Sequence, residues 1–328
     1  MRWRDVMRAV CLFLLSIAPL STLTATASFA QAPPPQSTDW SVEEVTVTAQ
    51  STGPAYWHAT RGQSEVWILG VVDPIPKDFV WNQNHLAKLL DGTRLVLLPP
   101  RASATLFQSA WFLLTERSLL SLQDGKTLDG VLGAPLAARF TVARGVVHRD
   151  ADRYDGDAPA LVALKLEGDF LKANAMTLDE PADTIESLAR RHDVEVRHIA
   201  TYDAMPSIEA VLKSPPETSR ACVEAAINDV EFENEHAAAA ADAWAIGNVA
   251  GVKTHYSESN VFECLLALAP VASELEKRSI ADTVGAIEAA LGEGGRTIAV
   301  VGIGQLLRKN GVLERLHADG IAVEGPPQ

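Results

Sequence analysis

Beyond residue 30 the sequence has no uninterrupted run of 18 apolar residues, so nothing there is long enough to cross a bilayer as an apolar helix. Cationic side chains are also scarce, with 28 Lys and Arg against 42 Asp and Glu. The resulting formal charge of −14 repels phosphate backbones and anionic headgroups. These absences exclude nucleic acid as an expected partner and stable membrane insertion of the mature chain. Several catalytic signatures are missing too. There is no G-x-S-x-G elbow, no C-x-x-C pair, and no H-E-x-x-H or H-x-x-x-H pairing among the eight histidines. Gly302-Ile-Gly304 lacks both the third glycine and the Lys-Ser/Thr pair of a phosphate-binding loop.

What is present begins with an export signal. Arg2, Arg4 and Arg8 form a positive start, Val10 to Leu20 a short apolar core, and Ser28-Phe29-Ala30 a small-residue cleavage pattern. The expectation is a cleavable signal over 1–30, cut near Ala30, and a periplasmic mature chain. Loss of three arginines and one aspartate with the signal takes the charge from −14 to −16. Residues 31–53 are Pro-rich and polar and read as a flexible leader; residues 54–328 read as one domain. Of the three cysteines, Cys11 falls in the signal. Cys222 and Cys264 remain, an even pair that an oxidising compartment would join, the alternative being two buried thiols.

From Pro54 onward the pattern is α/β, a mixed central β-sheet flanked by many helices. Glu65 to Leu69 and Arg94 to Leu98 read as strands around a helix at Gln83 to Leu90, with Pro99-Pro100 stopping the second strand. Helices are expected at about 105–122, 158–174, 184–192, 217–245 and 265–291, and strands at 194–199 and 297–301. A helix at 311–318 and a strand at 321–323 end the chain. The acidic loop from His148 to Asp157 has the wrong register for calcium and reads as a solvated turn in which Asp157 caps the next helix. The acidic stretch Asp229 to Glu235 reads as a solvated helix face.

The two ends of the domain repeat one design. Each has an apolar strand, a Gly at its edge, a polar residue three positions later, a loop, a helix and a strand: Gly70-Val-Val-Asp73 and Gly302-Ile-Gly-Gln305. Open α/β sheets bind ligands just past the carboxyl ends of their strands. Two neighbouring strands would therefore set Asp73 and Gln305 across one crevice. Ordinary strand-to-loop turns account for the same spacing.

Around these residues the chain resembles the TraB/GumN family. The resemblance is carried by Pro54-Ala-Tyr-Trp57, Trp67-Ile-Leu-Gly70, Ile75-Pro-Lys77, Trp244 with Gly247, Arg278, Val301-Gly302-Ile-Gly304 and Gly311-Val312-Leu313. It implies a metal-dependent hydrolytic site built on two Gly-x-x-His motifs with acidic and Arg/Asn support. Here Asp73 and Gln305 stand at the two histidine positions, a strand that tends to end in Glu ends in Leu97-Leu98-Pro99, and Ser279 follows Arg278 where Asn is frequent. A catalytic divalent ion needs about three lone-pair ligands, and a neutral Gln amide is a poor one for a zinc-like ion.

The expectation is therefore a degenerate, non-catalytic member that acts by binding. Its crevice, lined by Gly70, Asp73, Gly302 and Gln305 with Arg278 nearby, would hold a small ligand, peptide or glycan, with no cofactor. The alternative is a divalent-metal-dependent hydrolase or peptidase with an altered site that uses Asp73. His58 and His85 flank the first motif and are weaker candidates for the crevice.

Overall fold

The computed structural model describes residues 53–122 and 125–326. The expected signal segment and, apart from Gly53, the expected leader lie outside the described residues. The strands are β1 (Tyr56–Arg61), β2 (Ser64–Val71), β3 (Ile75–Pro76), β4 (Thr93–Leu98) and β5 (Arg101–Ser103). They continue with β6 (Met176–Thr177), β7 (Glu195–His198), β8 (Thr201–Asp203), β9 (Arg296–Gly302) and β10 (Val323–Glu324).

Six of these form a mixed sheet in the order β10-β1-β2-β9-β4-β7. β2, β9, β4 and β7 run parallel, and β1 is antiparallel to both β2 and β10. Central parallel strands are covered on both faces, so they read as continuous apolar runs rather than alternating ones. Thr297 to Val301 and Leu95 to Leu98 are accordingly buried at every position. The pairing of β2 with β9 joins the two ends of the domain, with Gly70 opposite Val301 and Val71 opposite Gly302.

A second apolar core lies beside the sheet and is built mainly from helices. The long helix Pro216–Ala245 packs with Leu128–Leu132, Ala134–Val146, Pro159–Ala173 and Asn260–Leu268. Cys222 and Cys264 bond the long helix to Asn260–Leu268, with a Cα separation of 5.4 Å. No helix among the described residues is long and apolar enough to cross a membrane.

Several boundaries differ from the sequence reading, each for a local reason. The expected helix 105–122 ends at Thr115 and continues as a 3-10 turn, Arg117–Leu120. The expected helix 265–291 is two helices, Asn260–Leu268 and Pro270–Glu293, because Pro270 has no amide to continue the first. Asp157 does not cap the helix that follows it. Ala158 occupies the cap position without a side-chain bond, and Asp157 pairs instead with Lys165, a buried ammonium that requires a carboxylate.

Candidate functional site

The carboxyl ends of β2, β9 and β4 lie at one edge of the sheet, where it meets the helical core. A cavity of about 130 Å³ opens there, and Asp73, Gly302 and Gln305 all line it. Asp73 follows β2 by two residues. Gln305 is held differently from expectation: no loop follows Gly302, which itself caps the short helix Ile303–Leu307 that carries the amide. Pro99, just past the end of β4, lines the cavity as well.

The other two expected crevice residues have different surroundings. Gly70 is a packing position that a side chain would fill. A Cβ there would meet Ile303 Cδ1 at 2.5 Å, and its carbonyl accepts the Trp244 indole N–H at 2.6 Å. That bond ties the end of the long helix to the strand that delivers Asp73. Arg278 is not among the lining residues. Its guanidinium lies 5.7 Å from the centre of the Tyr202 ring and 3.5 Å from Asp282. His58 bonds to Glu65 at 3.0 Å and stacks on Trp67, while His85 packs against the rings of Tyr56 and Trp67; neither lines the cavity.

The rest of the wall is acidic. Glu167, Glu233, Glu258, Glu263 and Glu276 join Asp73, against a single cationic lining residue, Arg308. Arg308 is already engaged, 3.2 Å from Glu258 and 2.6 Å from Glu276. Glycine at 304 permits this arrangement, because a Cβ there would collide with the Glu258 carboxylate. Burial pushes the Glu258 and Glu263 carboxyls above the usual carboxylate range, with Arg308 opposing the shift in both.

Glu233 is shifted in the same direction. Burial raises its carboxyl well above the ordinary Glu value, and the negative charges of Asp229, Glu167 and Asp73 add to the shift. Tyr256, across the same cavity, is raised by burial and by Asp73, Glu258 and Glu233. The reading of 229–235 as a solvated face is thereby corrected. Asp229 is 4 % exposed and Glu233 faces the cavity. The signal was the spacing along the long helix. Cys222, Ala226, Asp229, Val230, Glu233, Ala237, Ala240 and Trp244 recur at three and four residues and share its inward side.

Asp229 organises the wall opposite the sheet. It accepts the backbone N–H of Asn260 at 3.0 Å, that of Val261 at 2.9 Å, the Ser259 hydroxyl at 3.0 Å and the Asn260 amide. Ser259 also caps the helix Asn260–Leu268, accepting from the Phe262 N–H at 3.1 Å. The disulfide clamps the same helix one turn further on. The segment 256–263, which supplies much of the cavity wall, is thus fastened at 259–261 and just past its end at Cys264.

The donor set does not fit a resident catalytic ion of the kind the resemblance implies. Among the described residues, no three His, Cys, Asp or Glu side chains converge closely enough to hold a metal. Gln305 adds only a neutral amide oxygen.

A mixed α/β sheet with a polar cavity at the carboxyl ends of adjacent parallel strands is the arrangement by which open α/β proteins hold ligands. The chain belongs to the TraB/PrgY/gumN family, whose model matches residues 55–325. Comparison with curated proteins and with solved structures found no match.

Proposed function

We propose that this chain is an exported, periplasmic member of its family that binds a ligand in the cavity between β2 and β9 and does not hydrolyse it. The observation that carries this reading is the pair Asp73 and Gln305. They line one cavity at the positions where the resemblance expects two histidines. A carboxylate and a neutral amide are good hydrogen-bonding groups for a ligand and a poor pair for a zinc-like ion. The small, partly apolar cavity with converging polar groups has the character of a ligand pocket.

The competing reading, a divalent-metal-dependent hydrolase or peptidase that uses Asp73, draws on the six acidic residues in the wall. Metal analysis of the purified mature protein separates the two, combined with peptidase and esterase assays in added Mn, Co, Mg and Zn. Binding without hydrolysis predicts no stoichiometric metal and no turnover that depends on Asp73. Stoichiometric metal together with hydrolysis lost in Asp73→Asn overturns it. Asp73→His combined with Gln305→His supplies a positive control, because a gain of zinc binding places both positions around one point.

A further inference from the structure

Charged residues make up 21 % of the chain, yet none falls between Ala102 and Thr115. The helix Leu106–Thr115 within that stretch has no charged side chain, and helices apolar all round are normally buried all round. This one is buried on one side only. Phe112 packs with Leu161, Met205 and Leu212, and Gln108 donates to Asp203 at 2.8 Å. The opposite side carries Leu106 at 83 % exposure, Phe107 at 77 %, Trp111 at 60 % and Leu114 at 78 %. Eight large apolar side chains are exposed among the described residues, and half of them lie on this one short helix.

Their spacing makes one surface. Residues 107, 111 and 114 recur at four and three, the spacing of the seam between two packed helices, and the small Ala110 lies among them. The rings of Phe107 and Trp111 are 6.5 Å apart with planes 18° from parallel. Two aromatic and two leucine side chains at these exposures offer roughly 500 Å² of apolar surface. A standard interface takes about 800 Å² from each partner, so the face supplies the apolar centre and its rim the remainder. That rim holds both signs: the exposed Arg101 precedes the helix, and Glu116 and Arg117 follow it. A twofold pairing of antiparallel helices sets the Arg101 end of one copy against the Glu116 end of the other, with the helix dipoles in their favourable antiparallel order. A lipid surface suits the face less. Interfacial helices carry Lys and Arg on their polar side, and this helix has neither.

We propose that this face is a homodimer interface, in which the helix Leu106–Thr115 packs antiparallel against the same helix of a second copy. Phe107 and Trp111 are its anchors, since large aromatic side chains at the centre of an interface carry most of its binding energy. The inference is independent of the cavity reading, because the helix contributes no lining residue to the cavity.

The test is sedimentation equilibrium of the mature protein between about 1 and 100 μM. We expect a reversible dimer, and for Phe107→Glu combined with Trp111→Glu a dissociation constant at least about 100-fold higher. Val142→Glu, which puts a charge at an exposed apolar position on the helix Ala134–Val146, should leave association unchanged. Ala110→Cys gives a second readout that does not depend on the double variant folding. It places one unpaired thiol at the middle of the face, the other two cysteines of the mature chain being joined to each other, and mild oxidation should link two copies through it. A dimer that the double variant leaves intact, or an oxidised Ala110→Cys that stays unlinked, overturns the proposal. So does a wild type that is monomeric throughout the range. In that case vesicle binding lost in the double variant assigns the face to lipid, and dimerisation on removal of residues 31–52 assigns it to the leader.

Discussion

Asp229 and Glu233 sit one turn apart on the same face of the same helix, and the protein treats them in opposite ways. Asp229 is surrounded by donors, two of them backbone amides at the start of the helix Asn260–Leu268. Glu233 has acids around it and a cavity in front of it. A buried acid that is saturated with hydrogen bonds is part of the scaffold. Glu233 instead lines the cavity, where burial and the charges of Asp229, Glu167 and Asp73 push it toward its neutral form.

The comparison breaks most sharply at Asp229. Replacement by alanine strands the Asn260 and Val261 amides in a buried wall and should cost about 4 kcal/mol, read by urea unfolding. A loss below about 1 kcal/mol would mean that water replaces the carboxylate and that the wall is not built on it. Removing the disulfide with Cys222→Ala and Cys264→Ala opens the other fastening of the same helix and should cost about 3 kcal/mol. Ser259→Ala removes only the cap and one hydroxyl bond, and about 1 kcal/mol is expected.

The pH dependence sharpens the other half. Glu233, Glu258 and Glu263 all have folded values raised above their unfolded ones. In the window between the two values the native state holds more protons, so stability falls as pH rises through it. Thermal unfolding should therefore show a melting temperature that declines from mildly acidic toward neutral pH, with a smaller decline in Glu233→Gln. A melting temperature that climbs over this range would place the controlling carboxyls elsewhere.

How much of this was legible in the sequence follows from what carried the signal. The central strands announced themselves because parallel strands buried on both faces are continuous apolar runs, as in Thr297 to Val301. Gly70 and Gly302 at strand ends pointed to the edge where the cavity lies, and Asp73 and Gln305 followed from them by counting. The helical half was harder. Ala134–Val146 and Val249–His255 were missed because their buried positions are few and interspersed with polar residues. β1 is likewise absent from the sequence reading, which begins the sheet at Glu65. Glu233 was misjudged because charged residues on a helix are usually solvated, and one dense acidic run hid the two that point inward. Their spacing from Ala226, Val230 and Ala237 held the correction.

The account turns on whether the acidic wall disfavours the charged form of Glu233, and one comparison decides it: thermal unfolding of the wild type and of Glu233→Gln without ligand, at pH 7 and at pH 4. The predicted result is a variant more stable than the wild type at pH 7 by about 1 kcal/mol, or about 2 °C in melting temperature, with the gain gone at pH 4 where both side chains are neutral. A variant less stable than the wild type at pH 7 would show that the native protein stabilises the charged Glu233 carboxylate, and would contradict the account.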